Sequence, residues 1–200
     1  MTMAIKSEQK RAQILKAASE LFCQFGYQVN MDQIAKHANV SKQTVYSHFQ
    51  TKAMLFESHI LSKCKEREVG TAALDDSQPI NAVLYDFGLK FQAMHLETTV
   101  QQTFRNAVSQ TSSHPELGQL YLKYGPERTL DLLADYLQRQ DDLGRLTLAS
   151  SAQNSAMQLL LMFHGKAVYW AFLGGESQEN EAERALYIQQ CVELFLLGNQ

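Results

Sequence analysis

The chain has 200 residues, 45% of them hydrophobic and only three of them proline, which is enough for one or two small domains with an apolar core. It contains no charge-free apolar run of about 18 residues and no signal-peptide pattern at its start, so we expect no membrane contact and a cytoplasmic protein. The net charge of −3 is unevenly distributed: residues 1–65 hold nine Lys or Arg against four Asp or Glu, and residues 66–200 hold nine against seventeen. The basic part is typical of a phosphate-binding surface, and the acidic part is expected to face away from it.

The three cysteines, Cys23, Cys64 and Cys191, are far apart and form no CxxC pair. This usage fits a reducing compartment, where a thiol is most often a small buried side chain. Redox sensing by one of them remains an alternative.

The first predicted helix runs from Ser7 to Phe25, and its apolar positions form one broad stripe that we expect to cover the next two helices. Lys6, Lys10 and Arg11 cluster near its start, where they either reach DNA phosphates or form a solvated basic helix end. Gly26 is predicted to end the helix as a left-handed cap.

Two short helical patterns follow within residues 31–49, MDQIAKHANVSKQTVYSHF. Asn30 is a predicted N-cap that pairs with Gln33 in a capping box. Asn39 tolerates the left-handed backbone that a tight turn between helices needs, and Ser41 is the next predicted N-cap. This pattern predicts a helix-turn-helix.

The second short helix has an unusual outer face. Val45 and Phe49 point inward, so the remaining side chains, which include no carboxylate, point outward or to the flanks. Gln pairs with adenine edges, Ser and Thr serve either base type, and Lys, Tyr and His suit phosphates. The face therefore indicates a recognition helix for a DNA major groove. An ordinary helical hairpin with a solvated polar face is the alternative.

The remaining chain is predicted to be helical throughout. A fourth helix begins after Thr51, with Lys52 in its first turn as a phosphate contact, and runs to about Gly70. A polar linker at residues 75–78 precedes a helix from Pro79, and another follows over residues 98–110. Pro115 starts the next helix, which Gly125 and Pro126 should kink.

Two long helices end the chain, over residues 152–173 and 181–197. Both are apolar on two sides, which predicts that one side serves the core and the other a partner. A larger core in a monomer is the alternative.

The run ILKAASELFCQFGYQVNMDQIAKHANVSKQTVYSHFQTKAMLF, residues 14–56, resembles the TetR family of bacterial transcriptional regulators. The resemblance covers about the first quarter of the chain. It departs from the commonest pattern at Asn30, where that family usually has Ser or Thr, and at Asn39, where it usually has Gly. It implies an all-α fold of about nine helices, with a three-helix helix-turn-helix DNA-binding domain at residues 1–51 and a larger helical effector-binding and dimerisation domain at residues 52–200.

The resemblance, together with the residue pattern, assigns three sets of residues. The predicted DNA-binding residues are Asn30, Lys42, Gln43, Thr44, Tyr46, Ser47, His48, Lys52, Lys6 and Lys10. A family-type cavity among helices five to eight would be lined by Phe87, Phe91, Met94, Phe104, Tyr121, Tyr124, Met157 and Phe163. A family-type four-helix dimer interface would use Ala156, Leu160, Phe163, Ala167, Trp170, Ala185, Ile188, Val192 and Phe195.

No nucleophile, phosphate-loop or metal motif is present, so we expect no enzyme activity, no cofactor and no metal. His95, His114 and His164 are loosely spaced and are interpreted as core or surface histidines. We therefore predict a homodimeric repressor that binds palindromic operator DNA, associates with the nucleoid when bound, and is released by a small apolar or aromatic molecule. A transcriptional activator, or a DNA-anchored protein-interaction module without a small-molecule ligand, is the alternative.

Overall fold

The computed structural model describes residues 2–66, 69 and 74–199, except for the side chains of residues 2–5, 63 and 64. The predicted end of the fourth helix near Gly70 and the side chain of Cys64 therefore lie outside the described residues. The chain forms two compact units. The first combines Met1–Lys63 with Gln102–Tyr124, and the second combines Cys64–Gln101 with Gly125–Gln200.

Four helices from the N-terminal part form most of the first unit: α1 (Thr2–Phe25), α2 (Met31–His37), α3 (Lys42–His48) and α4 (Lys52–Glu66). Ile14, Ala18 and Phe22 of α1 are buried against Ile34 of α2 and Val45 of α3, as the predicted apolar stripe requires. Burying the Ile, Phe and Val side chains supplies about 1.5–3 kcal/mol each, so this small core fixes where α3 lies.

The predicted local signals of the helix-turn-helix are confirmed. Asn30 accepts a hydrogen bond from the backbone of Gln33 at 2.9 Å, and the Gln33 side chain accepts one from the backbone of Asn30 at 2.8 Å. Asn39 has a left-handed φ of 49°. Ser41 accepts from the backbone of Thr44 at 3.1 Å, so α2 and α3 are each capped at their first turn.

The first unit is completed by a later segment that contains most of α6 (Thr98–Gln110) and all of α7 (Pro115–Leu122). Asn106 donates to the carbonyls of Phe22 and Cys23 at 3.2 and 2.8 Å. Gln110 donates to the carbonyl of Phe25 at 3.3 Å and accepts from the backbone N–H of Tyr27 at 3.0 Å. The last turn of α1 therefore has its carbonyls satisfied by side chains of α6, while Gly26 turns the chain with a φ of 65°.

The second unit is built from α5 (Ile80–His95), α8 (Arg128–Asp142), α9 (Ala152–Phe172) and α10 (Glu181–Leu197). Its core includes Phe87 of α5, Tyr136 of α8, Phe163 of α9 and Ile188 of α10, all fully buried. Gly88 allows the close packing of α5, because a Cβ there would come within 2.7 Å of Ile188.

Helix α9 contains a break that the sequence pattern did not predict. Gly165 has a φ of 57° and a ψ of −171°, so the backbone leaves the helical conformation at this residue. Gln92 of α5 donates to the carbonyl of Phe163 at 3.0 Å, and Tyr187 of α10 donates to the carbonyl of Met162 at 2.9 Å. Two neighbouring helices therefore satisfy the carbonyls that the break removes from the helical hydrogen-bond ladder.

Helices α7 and α8 are joined by a single π-helical turn, Lys123–Glu127, that contains Gly125 and Pro126. This is the predicted kink, and it arises because proline cannot donate to the preceding turn. Counted as one kinked helix, α7 and α8 bring the total to nine helices in the described residues, which hold no strand, so the predicted all-α class is confirmed. None of these helices combines the length and apolarity that crossing a bilayer would need.

Candidate nucleic-acid interface

The outer face of α3 lies open on the first unit. Gln43, Tyr46 and Ser47 are exposed, whereas Thr44 and His48 are half-buried. The Thr44 hydroxyl lies 2.8 Å from that of Ser41, and the Ser47 hydroxyl donates to the carbonyl of Thr44 at 2.8 Å. The amide of Gln43 and the phenol of Tyr46 are therefore exposed on this face, whereas the hydroxyls of Thr44 and Ser47 already have partners within the chain.

Lys42 is held by an acid in the unbound protein. Its Nζ lies 2.7 Å from Oδ1 of Asp32, the first-turn carboxylate of α2. The hydrogen bond, followed by the charge of Asp32, raises the pKa of Lys42. Lys42 therefore stays protonated, and a DNA phosphate would compete with Asp32 for it.

Lys52 occupies a different environment at the start of α4. Its Nζ donates to the carbonyl of Tyr27 at 2.8 Å and lies 3.9 Å from the centre of the Tyr27 ring. Partial burial lowers the pKa of Lys52, and the nearby charge of Glu116 opposes that effect. The lysine is thus positioned by packing, and the ammonium has further N–H groups for a phosphate.

The basic side chains at the start of α1 differ in their surroundings. Lys6 and Lys10 are exposed, and Lys10 donates to the side chain of Gln13 at 3.1 Å. Arg11 instead lies 4.7 Å from the centre of the Phe49 ring, with Nη2 3.4 Å from the hydroxyl of Ser58. It braces the end of α3 against α4, a role that nothing in the local sequence around residue 11 could indicate.

The predicted effector residues fall into separate places. Phe87, Phe91, Met94 and Phe163 lie together in the core of the second unit, and Met157 is exposed on α9. Phe104, Tyr121 and Tyr124 belong to the first unit, where the rings of Phe104 and Tyr121 lie 6.1 Å apart. Their assignment to a ligand stays a prediction.

The two histidines of the second unit, in contrast, come together. The rings of His95 and His164 are 4.9 Å apart between centroids, beside Phe91 and Phe172. Burial, with a smaller contribution from His95, lowers the pKa of His164 to about 4, and burial also lowers that of His95. His114 lies in the first unit, next to Glu116.

The predicted dimer residues are mostly enclosed within one protomer. The buried ones are Ala156, Leu160, Phe163, Ala167, Ile188, Val192 and Phe195. Ala185 is half-buried and Trp170 is 43% exposed. Both helices do have a second apolar side, and its exposed residues are Met157, Leu161, Tyr169, Trp170, Leu173, Leu186, Leu194 and Leu197. We call this set the exposed apolar stripe.

A helix-turn-helix with an open, acid-free recognition helix, joined to a helical second unit, defines a DNA-binding transcriptional regulator. Residues 14–58 match the family model described as bacterial regulatory proteins, tetR family. Residues 82–198 match the model described as AefR-like transcriptional repressor, C-terminal domain. The chain belongs to the TetR family, whose members are transcriptional regulators rather than enzymes and bind DNA as dimers.

Solved structures agree over nearly the whole chain. A TetR-family regulator from Mesorhizobium loti is 26% identical, covers 96% of this chain and 98% of its own, and has a TM-score of 0.77. The flavonoid-responsive regulator FrrA is 27% identical, with the same coverage of 96% and 98% and a TM-score of 0.77.

Curated relatives match mainly at the DNA-binding end. YhgD of Bacillus subtilis, an HTH-type transcriptional regulator, is 40% identical over 70 residues, which are 34% of this chain and 37% of that protein. The transcriptional activator FasR of Mycolicibacterium smegmatis is 46% identical over 50 residues, 24% of this chain and 23% of its own. The chain thus spans 37% and 23% of the length of these two relatives.

Proposed function

We propose that the protein is a repressor that binds a palindromic operator as a homodimer and is released by a small apolar or aromatic molecule. The observation that carries the proposal is the exposed face of α3, where Gln43, Tyr46 and Ser47 present uncharged polar groups and no carboxylate. Phosphates are assigned to Lys42, Lys52, Asn30 and the basic start of α1. Gln43 is assigned to a base edge in the major groove.

The homodimer is supported by the exposed apolar stripe on α9 and α10. Leu161, Leu194 and Leu173 are 61%, 63% and 75% exposed, which is unusual for leucines that recur along helix faces. A palindromic operator requires a two-fold dimer, because its successive half-sites lie about 34–36 Å apart.

The proposal of a small aromatic effector is supported by the structural likeness to FrrA. That regulator is described as flavonoid-responsive, and the likeness covers 96% of this chain. The likeness of the DNA-binding end to the activator FasR keeps activation as the second candidate function. Addition of a flavonoid to the DNA complex is expected to lower the bound fraction, and reporter transcription with and without it distinguishes repression from activation.

The test of operator binding is fluorescence anisotropy on the DNA upstream of the protein's own gene, at two salt concentrations. The double variant Tyr46→Phe, Lys52→Ala is expected to bind more weakly, because it removes two assigned phosphate contacts. It should reduce the slope of log affinity against log salt by about 1, because Lys52 is the one charged group that is removed. Gln24→Ala, an exposed site on α1, is the control. An unchanged affinity and slope in the double variant would show that the assigned phosphate contacts are wrong. Equal weak binding to a scrambled duplex would rule out this operator.

A further inference from the structure

Lys52 is held in place by Tyr27 within the protein itself. Its Nζ donates to the carbonyl of Tyr27 at 2.8 Å and lies 3.9 Å from the centre of the Tyr27 ring. That ring is itself fixed, because Tyr27 is only 6% exposed and packs edge-on against Phe56 with the centroids 5.6 Å apart. An ammonium that is already held loses less conformational entropy when it meets a phosphate. The place where Lys52 presents its charge therefore depends on where Tyr27 lies.

The position of Tyr27 is set by one amide from a distant part of the chain. Tyr27 belongs to the short 3-10 turn Gly26–Gln28, which directly follows α1. Gln110, the last residue of α6, accepts a hydrogen bond from the backbone N–H of Tyr27 at 3.0 Å and donates one to the carbonyl of Phe25 at 3.3 Å. The two bonds lie on either side of Gly26, so a single side chain fixes both ends of the turn.

Gly26 is suited to this amide for two separate reasons. Its φ of 65° is left-handed, which a glycine helix cap commonly requires. In addition, a Cβ at this position would overlap the amide of Gln110 and lie 2.6 Å from its Oε1. A helix cap requires only the first property, so the second shows that the turn leaves room for the amide itself.

Asn106, one turn earlier on α6, offers a comparison. It donates to the carbonyls of Phe22 and Cys23 at 3.2 and 2.8 Å. Both carbonyls belong to the last turns of α1 and precede the turn at Gly26, so the bonds of Asn106 stabilise α1 and do not reach Tyr27 directly. Gln110 and Asn106 therefore make the same kind of bond, but only those of Gln110 lead to the residue that holds Lys52.

We propose that Gln110 is a positioning residue for DNA binding. By bonding to both sides of Gly26 it holds Tyr27, and through Tyr27 it keeps the ammonium of Lys52 in place for a backbone phosphate. Without the amide, the turn loses a donor and an acceptor, and Lys52 has to be ordered at the moment when DNA binds. The inference rests on the assignment of Lys52 to a phosphate in the proposed function.

The test is fluorescence anisotropy over a series of salt concentrations, with a labelled duplex that the wild-type protein has selected from a random library. Lys52→Ala should reduce the slope of log affinity against log salt by about 1. Gln110→Ala should weaken binding about 5-fold when Lys52 is present and much less in the Lys52→Ala background, because residues of one network are not additive. Gln110→Met, which keeps the length of the side chain and removes both bonds, replaces the alanine variant if that variant does not fold.

Asn106→Ala is the matched control. It removes two hydrogen bonds from the end of α1, as Gln110→Ala removes two from the turn, and should leave DNA affinity and salt slope unchanged. Equal weakening by Asn106→Ala and Gln110→Ala, in folded variants of similar melting temperature, would overturn the proposal. Equal weakening by Gln110→Ala with and without Lys52 would also overturn it.

Two further outcomes reach the proposed function. An unchanged salt slope in Lys52→Ala would overturn the positioning role and also count against the phosphate assignment of Lys52. Failure of the wild-type protein to select any duplex would remove the operator binding on which both proposals depend. An effect of Gln110→Ala that is independent of Lys52, in contrast, would leave the proposed function intact.

Discussion

Asn39 sets the turn between α2 and α3 through its backbone alone. Its φ of 49° lies in the left-handed region, which costs most side chains about 1–2 kcal/mol and asparagine less. The direction of the recognition helix therefore depends on a residue whose side chain is exposed and which need not touch DNA.

We expect Asn39→Ala to lower the free energy of unfolding by about 1 kcal/mol, because alanine tolerates a positive φ poorly. Asn39→Gly should be neutral or slightly stabilising, because glycine adopts this conformation readily. Urea denaturation followed by circular dichroism measures both. A loss of equal size in the glycine variant would indicate that the asparagine side chain, and not the backbone conformation, is what matters.

Among the elements, the local signals were readable from the sequence and the long-range contacts were not. The caps at Asn30 and Ser41 depend on atoms within three residues, and both are present. Helices α6 and α10 have the predicted bounds. The break at Gly165 was not predicted, because the neighbouring carbonyls of Phe163 and Met162 are satisfied by side chains 71 and 25 residues away in sequence.

The difference between local signals and long-range contacts also explains which parts of the candidate sites could be predicted from the sequence. The exposed face of α3 follows from helical periodicity around Val45 and Phe49. For α9 and α10, periodicity predicted two apolar sides but could not say which one faces the protomer core. The pairing of His95 with His164 was also hidden, because it joins two helices that are remote in sequence.

At the end of α1, Gln110→Ala should destabilise the protein by about 1–2 kcal/mol. The change leaves the N–H of Tyr27 and the carbonyl of Phe25 without the partner that α6 supplies. Urea denaturation at one protein concentration measures the effect, and Gln119→Ala, an exposed site on α7, is the matched control. Equal stability of the two variants would mean that water replaces the amide at no cost.

For the whole molecule, the buried histidine pair predicts a loss of stability in mild acid. The pKa of His164 in the folded chain is about 4, below its ordinary value of 6.5. As the pH falls below 6.5 the unfolded chain takes up the proton first, so stability is lost progressively between pH 6.5 and pH 4.

The variant His164→Phe should retain the ring contacts with Phe91 and His95 and remove this titration. Between pH 7 and pH 5, we expect the wild type to lose roughly 1–2 kcal/mol more stability than the variant. Chemical denaturation at the two pH values gives the difference, in which carboxylate titrations common to both proteins cancel. Parallel losses in the two proteins would show that His164 accepts its proton without penalty.

The exposed apolar stripe predicts the oligomeric state. Leu194→Lys places a charge in the proposed interface and should convert a dimer into a monomer of 22.7 kDa with little change in helix content. Size-exclusion chromatography with light scattering reads the mass directly. Leu143→Lys, at an equally exposed leucine after α8, should leave the dimer intact. A dimer that persists in Leu194→Lys would place the interface elsewhere.

The discontinuous make-up of the first unit limits how this regulator can be re-engineered. Apolar side chains between Ile14 and Ile60 share one core with Ala107 and Leu117, and α1 takes its carbonyl partners from Asn106 and Gln110. A chimera that grafts only the first 51 or 66 residues onto another sensor would leave an uncovered apolar surface and an uncapped helix. Transplanting the operator specificity of this protein therefore requires either both segments, or a host whose corresponding helix already carries the two amides.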